Sequence, residues 1–203
     1  VWVSWEEHGD REMRSVLITG GSGYLGRHLA KRLLQTDCER ICIYSRGEHR
    51  QAEMRAQLED SRLRFFIGDV RDKERLELAM RGVEVVIHAA ALKRIEVGFS
   101  NPGEIVKTNV QGSMNVVEAA ARAGVRKSLL LSSDKAYQPV SPYGQTKALA
   151  ESIFLTANNV HPGHVDSCLC DTGQRPPADT PDKIAAPAQT RRQVDALFEF
   201  DFL

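Results

Sequence analysis

Short apolar runs alternate along this chain with stretches in which apolar residues recur at helical spacing, and the alternation predicts strand, helix, strand from Ser15 to about Asn159. Val16-Leu17-Ile18 is the first run. It enters Thr19-Gly20-Gly21-Ser22-Gly23-Tyr24-Leu25-Gly26, after which Leu25, Leu29 and Leu33 mark one face of a helix. Arg40-Ile41-Cys42-Ile43-Tyr44 reads as a second strand, followed by a charged helix through about Leu58. Leu63-Arg64-Phe65-Phe66-Ile67 is a third strand, a helix begins near Lys73, and Val83-Glu84-Val85-Val86-Ile87 is a fourth strand. A long helix is predicted from Pro102 to about Ala123, with proline in its first turn and Gly124 just past its end. Ser128 to Ser132 supplies the fifth strand, and a further helix starts near Ser141-Pro142. Strands alternating with helices in this way give an α/β fold, a doubly wound parallel sheet with ligands at the carboxyl ends of its strands.

The glycine-rich turn tells which ligand. Gly20, Gly23 and Gly26 fall three apart between a strand and a helix. One permits a tight turn, one lets backbone approach a pyrophosphate and one allows close helix packing; the amides from Gly21 through Tyr24 and Leu25 receive the phosphate. This predicts a Rossmann-type dinucleotide site, with a merely structural turn as the bland alternative. The end of the second strand selects the nucleotide. NAD sites place a carboxylate there for the ribose 2′-OH, whereas a 2′-phosphate wants arginine. Here stand Ser45 and Arg46, with Arg50 nearby and no carboxylate, so NADP is favoured over NAD. At the end of the third strand, Asp69-Val70 can reach the adenine, or Asp69 can cap the next helix. Ala89 and Ala90 are small enough for a cofactor to lie against their backbone, and His88 reads as a satisfied structural histidine.

Composition narrows the partners. With 203 residues the chain holds one sizeable core, and its 27 basic and 27 acidic side chains give no pull toward nucleic acid or an anionic membrane. No apolar run approaches the ~20 residues of a membrane span, and no signal sequence opens the chain, which points to the cytoplasm. Four cysteines, Cys38, Cys42, Cys168 and Cys170, are too few for a disulfide-built fold and fit a reducing compartment. A homo-oligomer is compatible with all of this.

The fifth strand delivers Ser132-Ser133-Asp134-Lys135-Ala136-Tyr137 to the carboxyl edge, and the next helix carries Tyr143-Gly144-Gln145-Thr146-Lys147. Tyr143 and Lys147 are four apart and share a helix face, so the ammonium is expected beside the phenol, lowering a pKa that starts near ~10. Such a tyrosine takes a proton from a substrate hydroxyl as hydride leaves for a nicotinamide. The alternative is a surface pair on an ordinary helix.

The turn and the Tyr143–Lys147 segment together resemble the extended short-chain dehydrogenase/reductases that act on nucleotide sugars. Ile43-Tyr44-Ser45-Arg46, Arg64-Phe65-Phe66-Ile67-Gly68-Asp69-Val70-Arg71-Asp72, His88-Ala89-Ala90-Ala91-Leu92-Lys93 and Ser133-Asp134-Lys135-Ala136 are similar to the inverting UDP-N-acetylglucosamine 4,6-dehydratases, the CapD-like polysaccharide-biosynthesis proteins. The resemblance covers residues 15 to about 159. It implies that Asn109 belongs to the hydrogen-bond network of the cofactor site, that Lys93 faces a UDP-N-acetylhexosamine substrate, and that NADP stays bound through the cycle. It also implies that Lys135 removes the C5 proton and Asp134 protonates the departing 6-hydroxyl, with Ser133 standing where the family often has threonine. Those roles require a lowered pKa at Lys135 and a raised one at Asp134; a salt-bridged loop pair is the alternative. An epimerase or reductase shares the tyrosine and lysine without needing the Asp-Lys pair, and a non-catalytic NADP-binding fragment is the third reading.

Residues 1–14 read as an extension, with Met13 as the expected natural start. Residues 161–203 carry five of the eight prolines and read as an irregular tail without a strand, the substrate domain of the family being absent and a truncation or frame shift being the expected cause. A short helix near Gln193 to Phe198 is allowed. His161, His164, Cys168 and Cys170 lack zinc-site spacing, so no metal is expected.

Overall fold

Six parallel strands form one sheet in the computed structural model of the protein, in which residues 13–160 and 166–170 are described. They are β1 (Ser15–Thr19), β2 (Arg40–Ser45), β3 (Leu63–Ile67), β4 (Val85–His88), β5 (Lys127–Leu131) and β6 (Asp166–Cys170), in the order β3-β2-β1-β4-β5-β6. This is the doubly wound Rossmann order. Successive residues of β1, β2, β4 and β5 bury on opposite faces. Leu17, Cys42, Val86 and Leu130 pack with Met80, Val116 and Phe154 on one side. Val16, Ile18, Ile41, Ile43, Val85, Ile87 and Leu129 pack with Leu29, Ala30 and Met54 on the other. Burial on both faces is why the inner strands read as unbroken apolar runs.

The helices are α1 (Tyr24–Leu33), α2 (Glu48–Leu58), α3 (Lys73–Met80), α4 (Ile95–Ser100), α5 (Pro102–Ile105), α6 (Gly112–Ala123) and α7 (Pro142–Val160). Asp72 caps α3, its side chain accepting from the Arg75 N–H at 3.0 Å, so the capping role left open for Asp69 falls to Asp72. Among the described residues no helix is long and apolar enough to cross a membrane.

Three sequence expectations are corrected. The single helix expected over 102–123 is broken by a π-helical turn, Val106–Gln111, which leaves the Thr108 and Asn109 side chains buried. Asn109 holds that turn in place: its amide accepts from Leu92 N–H (2.8 Å) and donates to Leu92 O and Thr146 Oγ1 (3.0 Å each). Such long-range bonds leave no periodic signal. Second, the tail contains a strand, β6, registered on β5 from Lys127↔Asp166 to Leu131↔Cys170. Asp166-Ser167-Cys168-Leu169-Cys170 has no β-branched or aromatic residue, so the exposed edge of β5, not local propensity, selects it. Third, Met13 and Arg14 belong to the domain: Met13 packs on the apolar cluster and the Arg14 carbonyl accepts from the Glu39 and Arg40 N–H groups. The readings of residues 1–12, of the helix near 193–198 and of the zinc group's side chains fall outside the described residues.

One buried polar chain ties the layers together. Ala90 N–H donates to Thr19 Oγ1 (3.2 Å), Thr19 Oγ1 lies 2.7 Å from His88 Nδ1, Ser113 Oγ lies 3.3 Å from Nε2, and Ser113 donates to the Asn109 carbonyl (2.6 Å). Because Ser113 spends its proton on Asn109, the imidazole proton sits on Nε2 and Thr19 donates to Nδ1. Burial, reinforced by the charge of Lys147, brings the His88 pKa down from 6.5 to about 3. The unfolded chain therefore binds the extra proton first, and the stability from neutral His88 is complete above pH 6.5 and lost as pH falls toward 3. Urea titrations across that range should show a loss on the order of 4 kcal/mol that His88→Asn flattens; an unchanged slope would contradict the account.

Candidate active site

The strand order reverses at β1, between β2 and β4, and a cavity of about 840 Å³ opens there at the carboxyl ends of the strands. Its floor depends on Gly20, whose φ of +68° and whose Cβ position, 2.9 Å from Ala90 Cα and N, exclude any side chain. A Cβ on Gly26 would stand 2.5 Å from Gly21, so that glycine seats α1 on the turn. The N-cap of α1, Gly23, makes no side-chain capping bond, and the first turn holds no acidic residue. Gly23, Tyr24, Leu25 and Gly26 all line the cavity; the Gly21 and Gly23 N–H groups, expected to meet a phosphate, are instead bonded to Tyr44 O (3.3 Å) and Gly20 O (2.8 Å), which leaves the N–H groups of Tyr24, Leu25 and Gly26 to present a site for an anion.

At the β2 end, Ser22 Oγ and Ser45 Oγ lie 2.8 Å apart, and Gln51 Nε2 donates to Ser45 Oγ (2.9 Å), Ser45 O (3.0 Å) and Phe66 O (2.9 Å). Gln51, which the sequence reading misses, thus pins Ser45 in the cavity wall at the end of β2. Arg46 and Arg50 line the same wall with Asp69 and Val70. Burial would raise the Asp69 carboxyl, but hydrogen bonds from the Arg71 side chain and backbone, with the charges of Arg71 and Arg46, hold it below the usual carboxylate range.

Ala89, Ala90, the exposed Lys93 and Thr108 line the cavity. Thr108 Oγ1 is buried without a hydrogen-bond partner, an open donor in the wall. The π turn that puts it there is invisible to a helical periodicity. Asn109 does not line the cavity; it braces the wall from behind through Leu92 and Thr146.

Ser133, Asp134, Lys135, Tyr143 and Lys147 converge on the remaining side. The Ser133 hydroxyl reaches the Tyr143 phenol and also Asp134 Oδ1, at 3.0 Å. Two expectations change here. Burial pushes the Tyr143 phenol up, opposed by the Ser133 hydrogen bond, and the charges acting on it are Asp134 and Lys135. The Lys147 ammonium instead donates to the Leu131 carbonyl, and its own pKa falls from 10.5 to about 8 through burial, with Glu151 pulling the other way. Asp134 is lowered, not raised, because Lys135 Nζ sits 2.6 Å from Oδ2 in a pair whose side chains are 46% and 54% exposed, with no apolar cover to disfavour the charges.

Residues 16–170 match a family described as polysaccharide biosynthesis protein. The chain belongs to that polysaccharide biosynthesis family. The matched segment includes β6, past the Asn159 limit of the sequence resemblance. Within reach of the same segment, an inverting UDP-N-acetylglucosamine 4,6-dehydratase of Campylobacter jejuni is 48% identical over 148 residues, covering 72% of this chain and 44% of that protein. A UDP-glucose 4-epimerase of Rickettsia prowazekii is 39% identical over 165 residues, covering 79% and 48%. Among solved structures, the dTDP-glucose 4,6-dehydratase DesIV of Streptomyces venezuelae, with NAD bound, superposes with a TM-score of 0.71 at 25% identity over 77% of this chain and 54% of that one. The chain therefore spans less than half the length of the curated family relatives it matches.

Proposed function

We propose that this chain is the cofactor-binding part of a cytoplasmic, NADP-dependent sugar-nucleotide 4,6-dehydratase acting on UDP-N-acetylglucosamine in surface-glycan synthesis. The observation that carries the reading is the Asp134–Lys135 pair on the same cavity rim as Tyr143. The 48% identity to an inverting dehydratase supports it. The glycine turn, the uncapped start of α1, Ala90 and the open Thr108 hydroxyl fit a dinucleotide, and Arg46 and Arg50 fit a 2′-phosphate.

A nicotinamide dinucleotide held there supplies hydride acceptance and return. The protein's part is acid–base work. Tyr143, steadied by Ser133, takes the proton from the C4 hydroxyl. Lys135 takes the C5 proton and Asp134 returns one to the departing 6-hydroxyl. In the free protein these two neutralise each other as an ion pair, so the working protonation states require a substrate that parts them and covers them with an apolar sugar face. Lys93 faces that substrate. The epimerase reading is favoured by the Rickettsia relative and disfavoured by Asp134–Lys135, which C4 inversion does not use.

Incubation with NADP and UDP-N-acetylglucosamine, followed by mass spectrometry and NMR of the sugar, separates the readings. For this chain alone the expected result is saturable NADPH binding without turnover. Exchanged for the matching segment of the Campylobacter dehydratase, it should support loss of one water. C4 inversion without loss of water would establish the epimerase, and no saturable binding by a folded sample would end the nucleotide reading.

A further inference from the structure

A ladder of five charged side chains leads outward from the cavity at its ribose end, beginning with Arg46 and Asp69 in the lining and continuing through Arg71, Glu104 and Lys107 behind it. Arg71 Nε and Nη2 both donate to Asp69 Oδ2, at 3.0 and 2.7 Å, and the Arg71 backbone N–H donates to Oδ1 at 3.0 Å. On its far side Arg71 Nη1 donates to Glu104 Oε2 (2.8 Å), and Glu104 Oε1 is held by Lys107 Nζ (3.0 Å). The Tyr44 hydroxyl fixes the backbone beneath by donating to the Asp69 carbonyl at 2.8 Å. Arg46 stands differently. Its Nη1 is 3.7 Å from Asp69 Oδ2, too far for a hydrogen bond, and its side chain is 57% exposed at the cavity mouth.

We propose that Arg71 is a specificity-determining positioning residue: by hydrogen-bonding the Asp69 carboxylate, it leaves the Arg46 guanidinium in no more than a long ion pair with Asp69, with its N–H groups available for the 2′-phosphate of NADP. The inference rests on the reading of the cavity as an NADP site. A carboxylate at the end of a Rossmann strand is a hazard to such a site in two ways. It repels a phosphate that carries about −1.5 to −2 charge, and it competes for the arginine meant to bind it. Fork-shaped pairing with Arg71, itself clamped from behind by Glu104, removes both effects without touching the ligand. Asp69 keeps its place in the wall but presents a satisfied carboxylate. A cofactor with a 2′-hydroxyl neither needs Arg46 nor suffers the repulsion, so releasing Asp69 from Arg71 acts on it far less.

The test is the ratio of NADPH to NADH affinity, measured by fluorescence titration of the full chain at low ionic strength, where exposed charges are least screened. The wild-type chain should prefer NADPH. Arg71→Gln should weaken NADPH about tenfold and change NADH by less than about twofold. Adding Asp69→Asn to Arg71→Gln should restore most of the ratio, a rescue that a merely destabilised fold would not give. Glu104→Gln, which loosens only the outer clamp, should move the ratio the same way by a smaller factor and serves if Arg71→Gln does not fold. A ratio unchanged in Arg71→Gln, or both cofactors weakened alike, overturns the role of Arg71. A wild-type preference for NADH instead overturns the NADP reading beneath it.

Discussion

Gly144→Ala should cost the fold about 4 kcal/mol and part Tyr143 from Ser133. The Cβ would stand 2.2 Å from the Lys135 carbonyl oxygen and 3.1 Å from Pro139 Cβ. Overpacking a core by a methyl typically costs ~1–3 kcal/mol when side chains can move aside. Here the obstacle is backbone, so either α7 or the Ser133–Pro139 loop must shift as a unit, which places the cost above that range. Whichever moves, the Ser133 hydroxyl no longer reaches the phenol. Urea denaturation reads the first effect, and a rise in the Tyr143 pKa followed by ultraviolet titration reads the second, because the Ser133 bond is what opposes burial there. A variant within about 1 kcal/mol of wild type would show that the loop packs more loosely than described.

Lys147→Met should act in the opposite sense and make the protein more stable. Lys147 is 4% exposed, and burial has brought its pKa from 10.5 to about 8. Below pH 8 folded and unfolded chains both carry the charge, and the folded one bears the full desolvation penalty. Between pH 8 and 10.5 the unfolded chain binds more protons, so wild-type stability rises with pH over that window. A methionine fills the same space without the charge; after loss of the bond to Leu131 O, a net gain of roughly 2 kcal/mol at pH 7 is expected. The difference between the two proteins should shrink toward pH 10.5. Equal stabilities at pH 7 and pH 10 would mean that the lysine is solvated in solution. Stability withheld in this way, at a residue lining the cavity, is what a functional site shows when its chemistry needs a buried cation.

What the sequence makes legible follows from what leaves a periodic or compositional trace. The inner strands β1, β2, β4 and β5 are readable because both faces are apolar, the edge strand β3 by its apolar and aromatic run alone, and the glycine turn because only glycine fits at Gly20 and Gly26. The residues converging at the β5 end are readable because they share one strand end and one helix start. Three features leave no such trace. The π turn needs Asn109 to find Leu92 and Thr146, β6 is specified by its partner strand, and Gln51 clips Ser45 to Phe66 across two strands. Spacing also misdirects the Tyr143–Lys147 pair. Four residues put both on one face, but the long lysine side chain finds the Leu131 carbonyl before it finds the phenol.

The floor beneath the glycine turn is supplied by chain made much later than the turn itself. Thr19 waits for Ala90, 71 residues downstream, and β1 finds β4 only at the Val16↔Val85 register. Closing so long a loop is slow, which puts this contact late in folding. A ribosome-bound chain that ends before Ala90 therefore exposes the glycine turn with nothing under it, and the turn is completed only once β4 and Ala90 have been synthesised.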